Sequence, residues 1–209
     1  MFIKSAFSSA VLATAAQASF HMGGCPAFTD MGAEFDVTRY TGKWFEVVRD
    51  KFTTFEILSG CVQADYGLKD DGSISVSNMA HRFFLGWGGI DGSAVQSDVT
   101  GPASLNVNFF AEPSADLPGN YFVIDTDYDT YSVVYNCAER LGGLISTDVM
   151  WILAREQVLS DDALIDIIKV IEEKVPGYGF FANHHMTRQG ITCPYNSMPT
   201  AETEATFTQ

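Results

Sequence analysis

From residue 44 to residue 155 the chain alternates between apolar and polar positions in short runs. Leu105, Val107 and Phe109 alternate with Asn106 and Asn108. Ile74 and Val76 alternate with Ser73, Ser75 and Ser77, carrying Asn78 on the apolar side. A period of two marks a half-buried strand. Segments of this kind are expected at 44–50, 61–69, 73–84, 93–98, 105–111, 121–126, 131–137 and 149–155. Turn signals punctuate them: Lys-Asp-Asp-Gly at 69–72, Gly-Trp-Gly-Gly at 86–89, which is expected to break the chain, and Asp-Tyr-Asp-Thr at 127–130. Eight short antiparallel strands at near-regular spacing predict an all-β fold, either a sandwich or an up-and-down barrel. The period then changes. Leu164, Ile168, Ile171 and Val175 recur at helical spacing, with Ile165 and Ile167 widening the stripe. Ser160 suits an N-cap, Asp161 and Asp162 suit the first turn, and Pro176-Gly177 ends the run. One helix packed on the outside of the sheet is expected.

Residues 1–18 read differently. One lysine is followed by an apolar and small-residue run ending Ala16-Gln17-Ala18, the pattern of a cleaved secretory signal peptide. A single domain is expected over 19–195, with an irregular lead-in over 19–41 and a polar, frayed tail over 196–209. Removing residues 1–18 takes away one lysine and no acid. That leaves 11 basic side chains against 26 acidic ones, a net charge of −15. Such a charge excludes nucleic acid and anionic membrane surfaces as natural partners. Cys25, Cys61, Cys137 and Cys193 are even in number and show no CxxC spacing. With a secretory route they predict two disulfides, in any of three pairings. The expected location is extracellular or in the secretory lumen. No cofactor or metal site is expected, and His184-His185 reads as a solvated loop.

Two motifs bracket the strands. Gly42-Lys43-Trp44 opens the first, and Trp151-Ile152-Leu153-Ala154-Arg155 ends the last. A tryptophan on the first strand and an arginine on the last meet only if the sheet closes on itself. An Arg–Trp stack contributes roughly 0.5–2 kcal/mol. Together with Thr126-Asp127-Tyr128 at the sixth turn, Gly42, Trp44 and Arg155 resemble the three ordered signatures of the lipocalin family. Phe20 to Pro26 and Thr53-Thr54-Phe55-Glu56 are similar to its apolipoprotein D and bacterial lipocalin branch. The resemblance covers roughly residues 20–195.

It implies an eight-stranded up-and-down barrel with a cavity, one outer helix, and a secreted, non-enzymatic carrier of a small hydrophobic molecule: a fatty acid, sterol, retinoid, carotenoid or similar lipid. It also implies the pairs Cys25–Cys137 and Cys61–Cys193, both outside the barrel. Strand parity then turns Val62, Ala64 and Tyr66 inward, and likewise Ser132, Val134 and Asn136. Leu153 and Trp151 follow from Arg155 at the floor. Ile74, Val76, Asn78, Leu105, Val107 and Phe109 follow from their alternation. Tyr121 and Val123 follow from the family's register. Glu46 shares the parity of Trp44 and points inward unless a bulge intervenes; it is either a paired polar group or a proton-switched anchor. Loop 51–60, with Phe52, Phe55, Ile57 and Leu58, and the Phe83–Trp87 stretch could touch ligand or a lipid surface, or fold inward as a plug. An enzyme on this scaffold would need a free thiol in the barrel, for which Cys61 is the nearest candidate. A lipid-peroxide scavenger would need an exposed methionine, Met79 or Met150, near the mouth.

Overall fold

The computed structural model describes residues 20–51, 53 and 58–199; the expected signal peptide and residues 200–209 lie outside them. Eight antiparallel strands close into a barrel: β2 (Gly42–Asp50), β3 (Ser59–Leu68), β4 (Ile74–Arg82), β5 (Gly86–Ser97), β6 (Gly101–Asn108), β7 (Tyr121–Thr126), β8 (Tyr131–Arg140) and β9 (Ile145–Ala154). Each pairs with the next, and β9 returns to β2 through Phe45 opposite Ala154 and Arg49 opposite Trp151. Two short strands flank the closure, β1 (His21–Met22) on β9 and β10 (His184–Met186) on β2.

The glycine stretch 86–89 is not a break but the start of β5. The turn is made one step earlier, where the Leu85 N–H donates to the Arg82 carbonyl at 3.1 Å. The glycines serve close approach within the sheet. A Cβ on Gly92 would stand 2.5 Å from the Asn108 carbonyl oxygen, and one on Gly89 would collide with the Met79 sulfur.

Alternation sorts the strand side chains into two cores. Trp44, Ala64, Ile74, Val76, Leu105, Val134 and Leu153 pack inside the barrel. Their chain neighbours Val133 and Ile152, with Val48, Ile124, Tyr135 and Met150, pack outside against α2 (Asp161–Lys174). Ile167, Ile168 and Ile171 supply the helix face. Ser160 caps α2, its Oγ accepting the Ala163 N–H at 3.2 Å, and Lys174 ties the other end to Asp125 at 2.6 Å.

Both implied disulfides form, Cys25–Cys137 and Cys61–Cys193. The second anchors a C-terminal strap. Ladder pairing between β2 and β3 runs only from Gly42 to Phe45. Above that the strands part and residues 184–189 fill the gap. Thr187 N–H donates to the Val47 carbonyl at 3.0 Å, and Gln189 Nε2 donates to the carbonyls of Glu46 and Val62 at 2.8 and 2.7 Å. His184-His185 therefore lies in a paired strand rather than a solvated loop, with the His184 ring stacked 4.6 Å from Phe180. Ser197 and Met198, inside the tail expected from residue 196, still hold contacts to Trp87 and Gln63.

Antiparallel order puts the connections 51–58, 83–85, 109–120 and 141–144 at one end of the barrel. The turns 69–73, 98–100 and 127–130 lie at the other.

Candidate ligand-binding cavity

The lower end is sealed by the lead-in. Asp36 caps the one-turn helix α1 (Val37–Tyr40), accepting the Thr38 N–H at 2.9 Å. That turn carries Tyr40, which is buried, beneath the barrel, where it meets Phe35 and Trp44. Trp44 Nε1 donates to the Tyr40 carbonyl at 2.9 Å. The Arg155 guanidinium stacks 3.6 Å from the Trp44 ring centre. It also donates to the carbonyls of Tyr128, Lys43 and Arg39 at 2.8, 2.8 and 3.2 Å. Gly42, at φ 90°, passes beside the same guanidinium. Thr126 Oγ1 accepts the Tyr128 N–H, and the Asp127 carboxylate accepts the N–H groups of Asp129, Thr130 and Tyr131. Burial raises the Asp127 pKa, but those donors outweigh it and leave it below the usual carboxylate value. The six signature residues thus meet in one floor.

A chain of hydroxyls lies just above. Tyr40 Oη is 2.8 Å from Tyr121 Oη and 2.9 Å from Ser132 Oγ, and Tyr66 Oη is 3.2 Å from Tyr121 Oη. Burial, reinforced by neighbouring tyrosines, pushes Tyr40 and Tyr121 far above the ordinary phenol pKa, so both stay neutral.

Over this floor stands a cavity of about 300 Å³. Val62, Ala64, Tyr66, Ile74, Val76, Asn78, Leu105, Val107, Phe109, Tyr121, Val134 and Trp151 all border it, as do Asn136 and Leu153. Val123 and Ser132 do not. Ser132 faces inward but is covered by Tyr40. Val123 is buried in the inner core, beside the register shift that β7 makes between Val123 and Asp125. Val37, Tyr40, Thr41, Gln63, Ala94 and Asn120 border the cavity without having been expected. The first three come from a lead-in read as irregular, although Asp36 two residues before Thr38 is a cap signal. Gln63 turns in because β3 bulges between Gly60 and Gln63, where Cys61 takes φ 55°.

Glu46 borders the cavity and is 3% exposed. A bulge between Glu46 and Val48 turns Arg49 to its side, and the two pair at 2.8 Å, with Thr187 as a second donor to Glu46. It is a paired group. Among the described residues the lining includes no Lys, Arg, His or Cys. Asn78 Oδ1 is buried on this wall with no hydrogen-bond partner, which carries a desolvation cost of about 1–3 kcal/mol until a donor arrives. Cys61 is held in its disulfide and no described cysteine is free. Met150 is buried under α2, and neither it nor Met79 borders the cavity.

Residues 35–186 match the sequence profile of the Lipocalin-like domain. Apolipoprotein D of Cavia porcellus is 36% identical over 155 residues, 74% of this chain and 78% of that protein. Apolipoprotein D of Mus musculus is 32% identical over 87% of this chain and 90% of its own. Outer membrane lipoprotein Blc of Vibrio cholerae is 28% identical over 72% of this chain and 82% of its own. Among solved structures, insecticyanin from the tobacco hornworm Manduca sexta superposes with a TM-score of 0.69 at 20% identity, covering 83% of this chain and 90% of its own. With a closed eight-stranded barrel, a sealed floor and these relatives, the chain belongs to the lipocalin family.

Proposed function

We propose that this chain is a secreted carrier that buries one small hydrophobic molecule in the barrel. The classes considered are fatty acid, sterol, retinoid, carotenoid and similar lipids. The observation that carries the reading is the blind cavity, walled by aliphatic and aromatic side chains and holding one buried polar acceptor, Asn78 Oδ1, without a donor. Burial of apolar ligand surface contributes ~25 cal/mol per Å² before association costs. The polar chemistry favours neutral members of these classes. A hydroxyl can donate to Asn78 or join the tyrosine chain, whereas a carboxylate would meet no cation on the described wall and would add a negative charge near Glu46. The two disulfides suit an oxidising compartment. Loop 51–60 is a candidate lipid contact; within it residues 52 and 54–57 lie outside the described set and Leu58 is exposed.

The test is native mass spectrometry of the secreted protein with solvent extraction, followed by fluorescence titration with retinol and retinoic acid. A co-purifying apolar molecule, and retinol binding at least tenfold tighter than the acid, are expected. A barrel that carries nothing and takes up neither probe overturns the carrier reading; a preference for the acid overturns the neutral-ligand part.

A further inference from the structure

We infer that the open end of the barrel docks on a zwitterionic phospholipid surface, with the cavity mouth facing the lipid. The inference deepens the carrier reading and rests on it only for the purpose of docking. In an eight-stranded up-and-down barrel the four connections at one end stand about a quarter turn apart. Here every one of them presents exposed apolar side chains. Leu58 lies on the first, Phe83, Phe84 and Leu85 on the second, Phe110 on the third, and Leu141 and Leu144 on the fourth. These seven are between 68 and 91% exposed. Single exposed apolar residues are ordinary, but a ring of them around one opening is not.

The two ends differ in kind. The closed-end turns carry Asp70, Asp71, Asp98, Asp127 and Asp129, so charge marks one pole and apolar tips the other. The tips do not form one flat face. The β4–β5 hairpin extends past the end of β6, whose last residue, Asn108, pairs with Ser93. The β8–β9 hairpin extends past β7, whose first ladder pair, Phe122 with Tyr135, leaves Asn136 to Arg140 above it. Two prongs thus rise on opposite sides of the mouth. Separate protruding tips suit a deformable lipid surface better than a rigid protein partner, which needs a contiguous complementary patch. Arg82 and Arg140, both exposed, each precede an apolar tip by one residue. At that height a guanidinium reaches a headgroup phosphate while the tip enters the acyl region. The strongly acidic chain opposes an anionic surface, which leaves a surface of zero net charge. An apolar ligand could then pass between lipid and cavity without crossing water.

The experiment is flotation of the secreted protein with phosphatidylcholine vesicles, alongside vesicles containing one third phosphatidylserine, at low and high salt. The variants are Phe83→Ser/Phe84→Ser/Leu85→Ser and Phe110→Ser. We expect the wild type to float with phosphatidylcholine independently of salt, and the triple variant to lose at least tenfold in partition. Because none of these four side chains borders the cavity, soluble-probe affinity should stay within twofold, and that value also shows that the variants are folded. No flotation, or equal flotation of the variants, overturns docking. Flotation only with anionic vesicles, abolished by salt, overturns the zwitterionic assignment. A wild-type dimer in light scattering that the triple variant converts to monomer, without flotation, assigns the ring to self-association instead. Flotation without probe uptake overturns the carrier reading and leaves docking standing; probe uptake without flotation does the reverse.

Discussion

Single residues do disproportionate work at the floor. Arg155 joins three backbone carbonyls from two other segments to the Trp44 ring. Replacing it with Leu leaves those carbonyls without their donor and removes the stack. A loss of about 2–4 kcal/mol in urea unfolding is expected, and Arg155→Lys should recover only a small part, since an ammonium cannot address three divergent acceptors in one plane. Three turn carboxylates add a pH term. Asp36 and Asp71 are lowered by bonds from Thr38 and Ser73. Asp127 is lowered because its three donors outweigh burial. A folded pKa below the unfolded one near 3.8 means stability that is whole above that value and lost as pH falls through the folded values. Acid titration of unfolding should therefore show a decline beginning below about pH 4. Asp127→Ala should be less stable at pH 7 and should show a shallower decline; an unchanged slope would remove Asp127 from the acid limb.

At the scale of elements, the helix and most strands were legible because one period dominates each. The stripe through Ile168 and Ile171 has a single reading, and both residues are buried against β-strand neighbours. Ile171→Ala should cost about 2–5 kcal/mol by calorimetry or urea unfolding, as expected for a truncated core isoleucine. Solvent-facing Ile165→Ala should cost under 1 kcal/mol. Where the reading failed, a local signal competed with a tertiary one. Gly86 to Gly89 carry turn composition, yet the strand needs glycine beneath Met79 and Asn108. The bulges at Glu46 and Gln63 shift parity, and both follow from the strap that parts β2 from β3, a contact between residues more than 120 apart in the chain. No period of two encodes that. The same holds for Val123 and Ser132, which were expected at the cavity. Whether Ser132 meets the cavity depends on where Tyr40 ends up, and Tyr40 lies outside the strand pattern altogether.

At the scale of the whole molecule, the remaining question is whether the barrel interior is a site or a loosely packed core, and the two give opposite signs. A ligand that binds only the folded state at a hundred times its Kd adds about 2.7 kcal/mol. In a chain of this size that raises Tm by roughly 5–11 °C. Ala94 is fully buried and borders the cavity, so Ala94→Phe projects a ring into it. If the interior is a packed core, the added volume forces neighbours off their rotamers and costs about 1–3 kcal/mol. If the cavity is the site, the ring occupies space that was available. The unliganded variant should then keep or gain stability, while the ligand-dependent rise in Tm falls away because the ring stands where the ligand would. Scanning calorimetry of both proteins, with and without a neutral apolar probe such as retinol, reads both quantities in one set of four scans. A destabilised variant that still shows the full ligand shift would place binding somewhere other than the barrel.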